Sequence, residues 1–209
     1  MEYWCSVNPL EVSAGGTFTV TATDMNGCMN TDSVVVVQNT VTVDAGLDVA
    51  ICPGDTASLA AIATGTAPLS YQWSPIDSLT DATIAEPMAF PDMTTTYLVT
   101  VTGPNGSTAV DSVTVTVYPE TSIELRNDDD FELGEDTEFE VRQRNTTTTI
   151  VDYQWSSIEF LTFTSADSST AIFAPDVIGI DYLYSVTVTD SNGCTDAVSY
   201  THLTLPTKA

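Results

Sequence analysis

The chain has 209 residues, 43% of them hydrophobic and 16% charged, with 29 acidic residues against 4 basic ones and a formal net charge of −25. That hydrophobic content excludes a disordered polymer, and the charge excludes nucleic acid and anionic membranes, both of which demand clustered lysine and arginine. No apolar run reaches the ~20 residues of a bilayer-spanning helix, which leaves divalent cations, basic proteins and neutral glycans as partners for a mainly solvated acidic surface.

In chain order, MEYWCSVNPLEV (Met1–Val12) has neither a basic start nor a continuous apolar stretch and does not read as a signal peptide. FTVTATDMNGC (Phe18–Cys28) and TDSVVVV (Thr31–Val37) follow. β-Branched residues alternating with period two put one set of side chains on a core face and the other in solvent. The Asn-Gly pair between the two runs signals a hairpin, since both residues tolerate positive φ.

The same hairpin returns twice, as YLVTVTGPNGS (Tyr97–Ser107) with VDSVTVTV (Val110–Val117), and as YSVTVTDSNGC (Tyr184–Cys194). The Asn-Gly pairs begin at 26, 105 and 192, intervals of 79 and 87 residues. Upstream, YQWSP (Tyr71–Pro75) echoes YQWSS (Tyr153–Ser157), and GDTASL (Gly54–Leu59) echoes EDTEFE (Glu135–Glu140). Self-similarity at this period marks divergent copies of one module, and short strands punctuated by turns predict an all-β chain of tandem small sandwiches. The boundaries expected are 1–39 for the C-terminal half of a truncated module, 40–118 for a complete one and 119–197 for another. NPLEVSAGGTFTV (Asn8–Val20) matches EPMAFPDMTTTYLV (Glu86–Val99) from its proline onward, so the first copy lacks its leading strands. A piece under ~40 residues rarely folds without a staple and leaves a strand edge open.

Trp73 and Trp155, at the same point of two copies, predict core aromatics packed against the opposite sheet, with a carbohydrate platform as the alternative. Tyr97 and Tyr184 open the penultimate strand, where a tyrosine corner locks a sandwich.

No Walker loop, dinucleotide fingerprint or C-x-x-C is present, and His202 is the only histidine. His202 falls in the C-terminal stretch read below as foreign to the module, and with it set aside no histidine remains for a triad or the usual zinc signatures, so no catalytic residue or organic cofactor is expected. Carboxylate pairs arise by chance among 29 acids. The best ligand candidate is Ca²⁺ on Asp128, Asp129, Asp130, Glu132 and Asp136 of NDDDFELGED (Asn127–Asp136), because hard oxygen ligands at a module junction stiffen an array; solvated acids are the alternative. Cys5, Cys28, Cys52 and Cys194 allow three full pairings. Cys5–Cys28 is the disulfide expected, with free thiols as the alternative.

DAGLDVAICPGDTASLAA (Asp44–Ala61), YQWSPIDSLTDATIAEPMAF (Tyr71–Phe90), TTTYLVTVTGPNG (Thr94–Gly106) and DSVTVTVYP (Asp111–Pro119) together resemble the tandem PKD-like, Ig-like repeats of Bacteroidota cell-surface proteins, including gliding-motility-type adhesins. PKD domains proper carry a W-D-F-G-D-G-like turn that SPIDS and SSIEF do not reproduce. The resemblance implies secretion, an array of modules, and an adhesive or spacer role toward a surface glycan or protein, with signal and anchor elsewhere in the parent. It also implies that a cysteine in CPGD and one in NGC belong to one module and pair there. An accessory region of an extracellular hydrolase and a glycan-binding module are the alternatives. After Ala197 the copy-three pattern gives way to VSYTHLTLPTKA (Val198–Ala209), which resembles a translated sequencing adapter and is expected to be foreign to the module.

Overall fold

The computed structural model describes residues 11–127, 136–145, 147–156, 161–174 and 181–203. Within them every regular element is a β-strand. β1 (Gly16–Thr23) and β2 (Met29–Val36) pair antiparallel, Phe18 opposite Val34. This ribbon corresponds to the last hairpin of the later copies, but its valines lie open: Val20 is 67% and Val34 60% exposed.

The second copy contains β3 (Thr42–Asp44), β4 (Val49–Ile51), β5 (Ala57–Ser58), β6 (Ile62–Thr64), β7 (Ser70–Ser74), β8 (Met88–Ala89), β9 (Thr95–Thr102) and β10 (Thr108–Val117). One sheet has the order β4-β10-β9-β7, with β4 parallel to β10 and the rest antiparallel. The short pairs β3–β6 and β5–β8 complete the fold. Tyr97, Val99 and Val101 of β9 are fully buried while Leu98 between them is 46% exposed, the period-two pattern of a half-buried strand. They share a core with Leu59, Trp73, Ala89, Val113 and Val115.

The third copy contains β11 (Ile123–Asn127), β12 (Thr137–Gln143), β13 (Ile150–Ser156), β14 (Leu161–Phe163), β15 (Thr170–Phe173), β16 (Asp181–Asp190) and β17 (Thr195–Leu203). Its sheets, β11-β12-β15-β14 and β13-β16-β17, have the four-plus-three layout of a constant-type Ig sandwich. Here the core is aromatic. Phe139, Phe173 and Tyr184 are buried together, Tyr184 lying 4.8 Å from Phe173 and 5.9 Å from Phe139 between ring centroids. Residues 198–203, expected to be foreign, continue β17 without a break in register, Val198 opposite Val186. Alternating apolar and polar residues suffice to seat them there.

All three hairpins close alike. The amide of Asp24, Gly103 or Asp190 donates to the carbonyl of Cys28, Ser107 or Cys194, and the amide of Gly27, Gly106 or Gly193 donates back to the first residue's carbonyl. Only the glycine has positive φ, +84°, +79° and +86° respectively. The Asn-Gly pair is therefore not the two-residue turn with both φ positive that the dipeptide predicts. It ends a three-residue loop whose glycine alone is left-handed.

Candidate functional site at the junction of the second and third copies

Cys52 follows β4 directly. Because β4 runs parallel to β10 with Ile51 opposite Val117, Cys52 sits at the end of its sandwich where β10 leaves for the next copy. The Tyr118 amide donates to the Ile51 carbonyl at 2.9 Å, holding the departing chain against that end. Cys194 ends the β16–β17 turn and is buried. The two cysteines form a disulfide, Cα to Cα 5.5 Å, across a sequence separation of 142.

The sequence expectation did not include this bond. Of the pair it did name, Cys28 is exposed and free among the described residues, and Cys5 lies outside them. Nor do the CPGD and NGC positions of one copy meet. In the second copy they sit at opposite ends of the ten-residue strand β10, a span of about 33 Å, far beyond disulfide reach. The geometry permits a bond only between one end of a sandwich and the facing turn of its neighbour.

The turn is built around Asp190, a residue only 1% exposed, through its carboxylate. It accepts the amides of Asn192 at 2.8 Å and Cys194 at 2.9 Å. It also accepts the hydroxyl of Thr121, from the segment joining the two copies, at 2.8 Å. Burial pushes its pKa up, but the bonds from Thr121, the Cys194 and Asn192 amides and Thr148 outweigh this and hold the carboxyl below its usual range. The joining segment is tied down further: Asn145 donates its side-chain amide to the Glu120 carbonyl, the Arg144 amide donates to Ser122 at 2.8 Å, and the Ile123 amide donates to Asp196 at 2.8 Å. Asp111 holds the second copy in the same manner, accepting the Ala45 amide at 2.8 Å. Its counterpart in the ribbon, Asp32, accepts the amide of the adjacent Ser33.

Trp73 is fully buried and donates its indole N–H to the Ile84 carbonyl at 2.9 Å. Trp155 is half-buried and donates to the Ser168 carbonyl at 2.8 Å. Each carbonyl lies in a loop pinned by an aspartate missed in the sequence reading: Asp81 accepts the amide and hydroxyl of Thr83, and Asp167 those of Ser169. The signal was present as an Asp-x-Thr/Ser triplet following each tryptophan. Tyr97 is also fully buried, yet its hydroxyl has no hydrogen-bond partner. It fills the core by bulk and makes no corner bond.

Of the Ca²⁺ candidates, Asp128, Asp129, Asp130 and Glu132 lie outside the described residues, and Asp136 is exposed ahead of β12. Among the described residues no group of three or more His, Cys, Asp or Glu side chains could share a metal ion. Nor does any described helix have the length and apolarity to cross a membrane. The chemistry available at the junction is thiol–disulfide exchange.

No family model and no curated protein matches the chain. Among solved structures, it superposes on the N-terminal eight Ig domains of Down Syndrome Cell Adhesion Molecule isoform 1.30.30 with a TM-score of 0.53 and 14% identity, over 92% of this chain and 27% of that one. The chain thus spans roughly a quarter of that structure. Extracellular domains 3–5 of Drosophila OTK align at a TM-score of 0.40 and 12% identity, over 91% of this chain and 71% of that one, too weakly to carry weight. The chain is all-β, built of Ig-like sandwiches in tandem.

Proposed function

We propose that the chain is a non-catalytic, load-bearing segment of a secreted surface protein, serving as a spacer or adhesive stalk of the PKD-like array type that its repeats resemble. The observation that carries this is the Cys52–Cys194 bond. It encloses everything from β5 to β16, while the chain enters the loop beside β4 and leaves it beside β17. Tension applied to the chain ends passes from β4 through the disulfide to β17, so the interior of both sandwiches lies outside the force path. A disulfide also belongs to an oxidising, extracytoplasmic compartment. The buried Trp73 offers no stacking surface for a sugar, which favours this reading over a glycan platform. Residues 198–209 are read as foreign to the parent module, and resequencing across the codon of Ala197 tests that.

Single-molecule pulling tests the function. With the bond intact, the 142-residue separation is withheld from extension; reduction releases on the order of 500 Å more contour. Equal contour lengths in the two states contradict the proposal.

A further inference from the structure

We infer that the disulfide at the junction is one instance of a repeating clasp, and that Cys28 is the open half of another: its turn is a docking surface for the Cys-Pro-Gly-Asp end of a neighbouring module of this type. The inference rests on the tandem-array reading above and extends it to a partner. Cys194 and Cys28 occupy the same place in the same turn. In each, an aspartate four residues earlier accepts the cysteine amide, at 2.9 Å from Asp190 and 2.8 Å from Asp24, and the amide two residues before the cysteine, at 2.8 Å in both. The cross-strand register that follows is also the same, Thr189 opposite Thr195 and Thr23 opposite Met29.

Independently of that turn, the third copy shows what such a cysteine bonds to: the residue after β4 of the preceding sandwich, at the end where the chain departs. Within one sandwich the two positions are separated by the full length of β10, so a Cys-Pro-Gly-Asp partner for Cys28 has to come from a neighbour. Cys194 with its partner in place is 3% exposed, whereas Cys28 is exposed and free. Met25 at 104% and Met29 at 73% exposure flank it with apolar surface. The second copy carries Ser107 at this position and can take no such bond.

The bond forms by exchange. The Cys28 thiol and the neighbour's cysteine thiol each lose a proton and together give up two electrons to a disulfide oxidant, which leaves as two thiols.

The test inserts a second copy of residues 40–168 between Val7 and Asn8 of the full chain. This places a CPGD-bearing sandwich one module ahead of the turn and supplies the first copy with leading strands. Cys28 is expected to lose its reactivity toward alkylating reagent and to appear in non-reducing peptide maps joined to the inserted Cys52. Cys28 remaining alkylatable, or joined to Cys5, while the original Cys52–Cys194 bond is intact overturns the inference and leaves the load-bearing reading standing. Loss of the original bond from the unaltered chain removes both. If amide exchange shows the insert unfolded, the unaltered chain is treated with the disulfide dimer of a peptide spanning Val49–Ser58. Preferential mixed-disulfide formation at Cys28 over a shuffled peptide supports the inference, and equal reaction overturns it.

Discussion

At the scale of single residues, buried or half-buried aspartates recur as fasteners for backbone that no strand partner satisfies. Asp190 does the most, gathering two amides and the Thr121 hydroxyl in a site that is 1% exposed. Asp190→Ala strands those donors and is expected to cost about 2–3 kcal/mol in urea denaturation at pH 7. Its folded-state pKa lies below the unfolded value. The stabilisation is therefore complete above the unfolded carboxylate pKa of about 3.9 and disappears as pH falls through the folded value. The stability curves of Asp190→Ala and the parent should converge in acid, and a gap that persists at low pH contradicts the assignment. Asp111, also held below its usual range, first by the Ala45 amide and then by Ser112, adds to the same acid limb. The tryptophans provide a contrast in burial. Trp73→Ala, from a fully buried site, should cost about 3–5 kcal/mol, and Trp155→Ala, from a half-buried one, clearly less; chemical denaturation ranks them.

At the scale of elements, the long strands were legible because their residues alternate. Tyr97, Val99 and Val101 inward with Leu98 outward is what the sequence pattern requires, and β16 repeats it with Tyr184, Val186 and Val188. The two- and three-residue strands were not legible. β4 joins β10 through only three positions, too few for a period, and nothing local in Val-Ala-Ile reveals a parallel neighbour more than sixty residues away. That missing pairing also hid the disulfide, since the end of the sandwich that holds Cys52 follows from β4 lying parallel to β10. The hairpins were foreseen but not their loops, because Asn-Gly serves both the two-residue turn and the longer loop found here. The ribbon β1–β2 lacks the flanking strands that β7 and β4 give β9 and β10, and an isolated two-stranded ribbon is marginal in water. Amides of Val34–Val36 should exchange far faster than those of Val113–Val115, and comparable protection contradicts this.

At the scale of the molecule, a net charge of −25 repels itself throughout, so stability should rise as salt increases from low ionic strength; a melting temperature independent of salt would show that repulsion plays no part. The repeats were plain in the sequence, whereas their cross-linking was not. Composition and spacing say that modules follow one another, but which ends face each other depends on strand direction within each sandwich. The disulfide joins those ends around a segment already fastened at Tyr118 to Ile51 and at Thr121 to Asp190, so two successive sandwiches form one mechanical unit. The central claim is that this bond exists between copies, and peptide mapping of the alkylated, unreduced protein after cleavage before aspartate tests it most directly. The account predicts Asp48–Gly54 joined to Asp190–Thr195, with Cys28 alkylated in Asp24–Thr31. Alkylated Cys52 and Cys194, with Cys28 joined to Cys5, would contradict it.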